Sequence, residues 1–168
     1  MSPAEYLAAA AQVGVALAGF TGVVVALDER SLEQWSTVDR FKLRLLVTFS
    51  AAPLVQCLLA LLILSIGSSE SVVWRVASLA AVSIVTPITV DLLRRFRLTP
   101  FPRFRAEGGS TAIFFIGGMI GTLLVLFQIA NVFMLARFWP FFAFVIGQYV
   151  AAIVQFVRFI LSRAGSSL

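Results

Sequence analysis

Residues 111–161 read TAIFFIGGMIGTLLVLFQIANVFMLARFWPFFAFVIGQYVAAIVQFVRFIL, and the only charges in the run are Arg137 and Arg158. Crossing about 30 Å of hydrocarbon takes roughly 20 apolar residues in a helix, so the run is long enough for two crossings. One crossing or two decides both the number of spans and the side on which the chain ends. Toward the amino terminus lie three further apolar runs, at residues 7–27, 45–66 and 72–93. If the quoted run divides at Ala136, Arg137 and Phe138, it supplies two more, at 111–135 and 139–161. The expected fold is then all-α: an integral membrane helical bundle of five transmembrane helices, with residues 1–168 forming one transmembrane domain.

Charge supports the division. With five spans and the amino terminus outside, the inner connections receive Arg30, Arg40, Lys42 and Arg44, then Arg94, Arg95, Arg97, Arg103 and Arg105, then Arg158 and Arg163. These are eleven of the thirteen basic residues, leaving Arg75 and Arg137 outside. Enrichment of Lys and Arg in short cytoplasmic loops orients such proteins, so the predicted topology is amino terminus outside and carboxyl terminus inside.

Composition agrees, since 60% of residues are hydrophobic, 12% are charged and the mean hydropathy is +0.99. A soluble domain of this length is far more polar. The net charge of +5 lies at the ends of apolar runs rather than on a soluble face, so it reads as topology and not as a nucleic-acid surface. Histidine is absent and Cys57 is the only cysteine, which excludes an internal disulfide and the usual zinc and iron–sulfur ligand sets. The sequence has no G-x-S-x-G, no H-E-x-x-H and no phosphate loop ending in Lys, so the expectation is no enzyme activity, no cofactor and no metal. Residues 1–6 lack a positive n-region, and the expectation is that the first helix is retained.

Two connectors carry signals. In residues 28–42, Ser36 and Asp39 form an S-x-x-D capping box, with Trp35 expected at headgroup level. Residues 98–105, LTPFPRFR, hold two prolines that oppose regular helix, and their alternating Arg and Phe suit an anionic inner leaflet. Arg94, Arg95, Arg97, Arg103 and Arg105 are the expected contacts to anionic lipid headgroups.

The segment LAGFTGVVVAL at residues 17–27, followed by Trp35, Asp39, Arg40, Arg44, Leu45 and Leu46, resembles small multi-span bacterial membrane proteins. VWR at 73–75, Gln128 with Asn131, and QFVR at 155–158 extend the likeness over most of the chain. The resemblance implies a bacterial cytoplasmic (inner) membrane location and brings no activity with it.

Three constellations are the candidate functional residues. Small residues let helix backbones approach in lipid, and Ala10, Gly14, Ala18, Gly22 and Ala26 recur every fourth position in the first span. Gly117 and Gly121 in the fourth span, and Ala143, Gly147 and Ala151 in the fifth, share that spacing. Such faces pack within one subunit or against a second copy or partner helix. Polar side chains within spans turn away from lipid. Gln56 and Gln148 fall near the midplane, Gln12, Gln128 and Asn131 in the outer third, and Thr86, Thr89 and Gln155 in the inner third. They read as interhelical glue or as a polar track across the membrane. Asp28, Arg44, Asp91 and Arg158 form a layer at the inner boundary, either an interhelical latch or snorkelling arginines with Asp91 paired to Arg94 or Arg95. Pro87 should kink the third span, with Thr86 and Thr89 placed to satisfy freed backbone groups.

The reading that follows is a non-catalytic membrane component that self-associates as a homo-oligomer or assembles with a partner membrane protein. The alternative is a pore or carrier for an ion or small solute.

Overall fold

The structure is a computed structural model that describes residues 1–26, 35–98 and 111–164. Five helices are long and apolar enough to cross a membrane. They are α1 (Pro3–Ala26), α2 (Thr37–Ser65), α3 (Glu70–Leu98), α4 (Thr111–Ala130) and α5 (Phe138–Ala164), and α4 runs on into a π-helical turn at Asn131–Leu135. There is no strand among the described residues. Helix is the expected solution, because in lipid it satisfies every backbone N–H and C=O within one segment.

The helices run beyond the apolar stretches that announced them. α2 begins at Thr37, well before residue 45, because Ser36 holds extended backbone (φ −61, ψ 157) and its Oγ accepts a hydrogen bond from the Asp39 amide at 3.0 Å. Hydropathy passes over this start because Asp39, Arg40, Lys42 and Arg44 occupy its first two turns. α3 continues through Pro87 to Leu98. Proline there deprives the Ser83 carbonyl of its helical partner, but the Thr86 hydroxyl donates to the carbonyl of Val82 at 2.7 Å, not to that of Ser83. A second internal proline, Pro53, is buried within α2.

α2 and α5 are the central pair. α1 packs on both, α3 lies against α2 and against α4 with its π-helical turn, and α4 also lies against α5. The helix ends gather into two groups. One end of the bundle collects the starts of α1, α3 and α5, and there Tyr6 lies 5.9 Å from Phe138 and 5.5 Å from Phe142, centroid to centroid, while Trp74 lies 5.0 Å from Phe138. This aromatic end holds most of the core, including Leu7, Ala10, Cys57, Ala60, Val73, Trp74, Phe141 and Val145. The opposite end carries Lys42, Arg44, Asp91, Arg94 and Arg158 and is called the basic end below.

The small residues divide between inside and outside. Ala10 and Gly14 are buried, whereas Ala18, Gly22 and Ala26 are exposed. A Cβ added at Gly14 would meet Tyr149 Oη at 2.5 Å and Leu54 Cβ at 3.0 Å, and one added at Gly22 would meet nothing within 4 Å. On α5, a Cβ at Gly147 would touch Leu124 Cδ1 at 2.5 Å; Ala151 is half-buried and Ala143 exposed. Gly117 and Gly121 on α4 are exposed with open space beside them. The face that α3 buries repeats every fourth residue too, at Val73, Ala77, Ala81 and Val85.

Gly14→Leu therefore forces bulk into the α1–α2–α5 contact and should lower stability by at least about 1–3 kcal/mol, the usual range for overpacking. Gly22→Leu should leave thermal stability near wild type, because its side chain enters free space. Equal melting temperatures for the two variants in detergent would contradict this placement of α1.

Candidate functional site

Gln56 on α2 and Gln148 on α5 face each other and are both buried. Gln148 Nε2 donates to Gln56 Oε1 at 2.8 Å, and Gln56 Nε2 donates back to Gln148 Oε1 at 3.4 Å. Gln148 Nε2 also reaches the carbonyl of Phe144, one turn earlier, at 3.3 Å. A carboxamide has two donors and two lone pairs on one planar group, so two of them can pair face to face and remove one another's need for water. The pair is thus closed on itself.

Around it lie the side chains that make this level of the bundle tight. Tyr149 is 3% exposed and its hydroxyl is pressed against Gly14. Cys57 is buried next to Gln56 in α2.

Gln128 and Asn131 serve the junction between α4 and α5. The Gln128 side-chain amide donates to the carbonyl of Pro140, and among the described residues its Oε1 is buried without a partner. Asn131 Oδ1 accepts the Arg137 amide at 2.9 Å, while its Nδ2 donates to the Arg137 carbonyl at 3.0 Å and to Ser78 Oγ on α3 at 2.7 Å. The Asn131 carbonyl accepts the Ala136 amide at 2.9 Å, and Ala136 takes left-handed backbone, φ 48. One asparagine thus caps the end of α4, starts α5 and ties both to α3. This is how two spans meet across so few residues.

The remaining polar residues are not brought to these groups. Gln12, Thr86 and Thr89 are exposed on the outer surface of the bundle. Gln155 is half-buried near the basic end, where its Oε1 accepts from Arg158 Nη1 at 3.4 Å. The eight polar positions therefore form a buried amide pair, a junction cap and separate surface groups.

At the basic end, Arg44 Nη2 and Asp91 Oδ2 form an ion pair at 2.9 Å between α2 and α3. Both side chains are roughly half exposed, 48% and 41%, and such pairs contribute about 0–1 kcal/mol. Arg94 is exposed on α3, and Arg95 and Arg97 belong to the same helix. Asp28, Arg103 and Arg105 lie outside the described residues.

Sequence reasoning passed over three residues that the structure places at the centre of things. Lys42 read as one more cytoplasmic charge but is 5% exposed; being the only lysine of the chain was its one signal. Ser78 becomes visible only as the partner of Asn131, and Tyr149 only through Gly14. Among the described residues no group of three or more His, Cys, Asp or Glu side chains is placed to hold a metal ion.

A bundle of five helices long and apolar enough to cross a membrane defines a multi-pass membrane protein. Comparison with protein-family models, with curated proteins and with solved structures finds no match.

If the Gln pair closes on itself, Gln148→Leu should orphan the buried Gln56 amide and lower stability by about 1–3 kcal/mol. Gln56→Leu with Gln148→Leu should be less destabilising than the sum of the two single changes. Additive losses in thermal unfolding would mean that the two amides do not interact. Asn131→Ala, which removes three side-chain hydrogen bonds at the junction, should be the more damaging single change.

Proposed function

We propose that this protein is a non-catalytic component of the bacterial cytoplasmic membrane that assembles with itself through the small-residue faces it leaves open. The observation that carries the reading is α4. Only 11% of its most apolar stretch is buried, against 39% for α2 and for α5, and Gly117, Gly118 and Gly121 have nothing beside them. Glycines four apart on a lipid-facing helix allow a second backbone to approach closely, and dispersion plus weak Cα–H contacts then hold the helices together. The exposed lower row of α1, Ala18, Gly22 and Ala26, offers a second such face. A partner membrane protein using the same faces would serve the same chemistry.

Orientation follows from charge: the basic end lies in the cytoplasm, and Arg94, Arg95, Arg97, Arg103 and Arg105 meet anionic headgroups there. A pore or carrier finds less support. Its hydrogen-bonding stops would be the midplane amides, and these are engaged with each other, while Gln12, Thr86 and Thr89 face outward.

Gly117→Ile with Gly121→Ile should reduce the mass of the detergent-solubilised particle to that of the monomer, with the melting temperature of the monomer unchanged. A wild-type particle that is already monomeric in lipid nanodiscs as well as in detergent would defeat the assembly reading. In proteoliposomes the wild type should pass neither common ions nor small neutral solutes; a flux abolished by Gln148→Leu in a folded variant would establish the carrier instead.

A further inference from the structure

We propose that α4 is a hinged arm, fixed at the aromatic end and standing off α5 toward the basic end, whose closure onto α5 covers Gly117 and Gly121 and so switches off the association face. Such control presupposes the self-association proposed for that face.

The fixed end is bonded on several sides. The Gln128 amide reaches the Pro140 carbonyl of α5, and Asn131 holds both backbone groups of Arg137 and the Ser78 hydroxyl of α3. One turn further toward the basic end, Leu124 lies directly on Gly147 of α5, where an added Cβ would meet Leu124 Cδ1 at 2.5 Å. That contact is the last tight one between the two helices and serves as the fulcrum.

α4 and α5 are joined by a short turn and run antiparallel. Stepping back along α4 from Leu124 therefore corresponds to stepping forward along α5 from Gly147. Residues three and seven positions from a contact return to the same helix face, which sets Gly121 opposite Val150 and Gly117 opposite Val154. In both pairs α4 offers a glycine where α5 offers a branched side chain. The fulcrum has the same large-against-small match with the roles exchanged.

Yet these two pairs do not touch. Among the described residues no atom lies within 4 Å of a Cβ built at Gly117 or Gly121, and Val150 and Val154 are 54% and 43% exposed. The glycines share the side of α4 that carries Leu124 and Gln128, so they look toward α5 across a gap. In lipid such a gap costs little, because acyl chains are as apolar as the faces they cover and helices associate by packing rather than by hydrophobic force. Open and closed arms then lie close in free energy, and a second copy that binds only the open arm shifts the population toward it. The π-helical turn at Asn131–Leu135 sits at the pivot, and irregular turns of this kind are frequent at functional positions in helices.

The test is cysteine cross-linking of the full chain in membranes, in a Cys57→Ala background. A disulfide needs Cβ atoms about 3.5–4.5 Å apart, a spacing that only the closed arm brings to position 117. On mild oxidation Gly117→Cys with Val154→Cys should bridge within one chain and shift the monomer band on a non-reducing gel. Met119→Cys with Val154→Cys, whose α4 residue lies on the opposite face, should not. Gly121→Cys with Val150→Cys, one turn nearer the pivot, gives the same comparison should the first pair fail to fold. After solubilisation the bridged protein should have the mass of the monomer, and reduction should restore the oligomer. Absence of the bridge from both pairs, while Gly117→Cys alone still forms disulfide-linked dimers, would overturn closure and leave self-association standing. A bridged protein that stays oligomeric would overturn the control of assembly. Bridging in a protein that is monomeric before oxidation would remove self-association, and the switch with it, while keeping the hinge.

Discussion

Two carboxamides that satisfy each other across α2 and α5 set the conditions for the rest of the bundle. A glutamine buried between membrane-spanning helices has no water to bond and must find a partner inside the protein. By pairing, Gln56 and Gln148 fix the register and rotation of the two central helices together. Once those are fixed, Tyr149 is aimed at α1, and only a residue without a side chain fits opposite its ring at position 14. The identity of one glycine in α1 is therefore set by an amide pair to which it does not belong. Interhelical hydrogen bonds in membranes average only about 0.6 kcal/mol, so the pair matters more as a constraint on geometry than as a source of stability.

Packing quality changes along the bundle. At the aromatic end rings from α1, α3 and α5 interlock and most of the buried apolar residues collect. Toward the basic end the C-terminal half of α1 and the described part of the N-terminal half of α4 are largely exposed, and the core narrows to α2, α3 and α5. The molecule is thus anchored at one end and open at the other, with its excess charge at the open end.

Much of the architecture could be read from residue order because it depends on run length and charge, which need no partner. The division of residues 111–161 at Arg137 is the clearest case. Helix boundaries were less legible: α2 starts eight residues before its apolar run because a serine cap and not hydropathy begins it. The candidate site was legible as a set of polar residues and not as an arrangement. Nothing in the periodicity of α1 distinguishes Gln12, which faces outward, from a residue that faces a neighbouring helix. Pairing depends on how helices rotate against one another, and that is a tertiary property. The row Val73, Ala77, Ala81 and Val85 went unnoticed because it mixes valine with alanine, yet α3 buries it. The longer glycine–alanine row on α1 is only half used within the subunit. Lys42 was hidden by its own helix, whose charged first turns look like loop.

The Asn131 cap also bears on how the chain enters the bilayer. Between Leu135 and Phe138 stand only Ala136 and Arg137, so α4 and α5 share a turn too short to wait as a separate loop on the far side while the second helix follows. In the proposed orientation, with the basic end inside, Arg137 lies on the outer side and reaches it together with the two helices that flank it. The backbone of that turn makes the journey already bonded, since Asn131 occupies the Arg137 amide and carbonyl and the Ala136 amide from within.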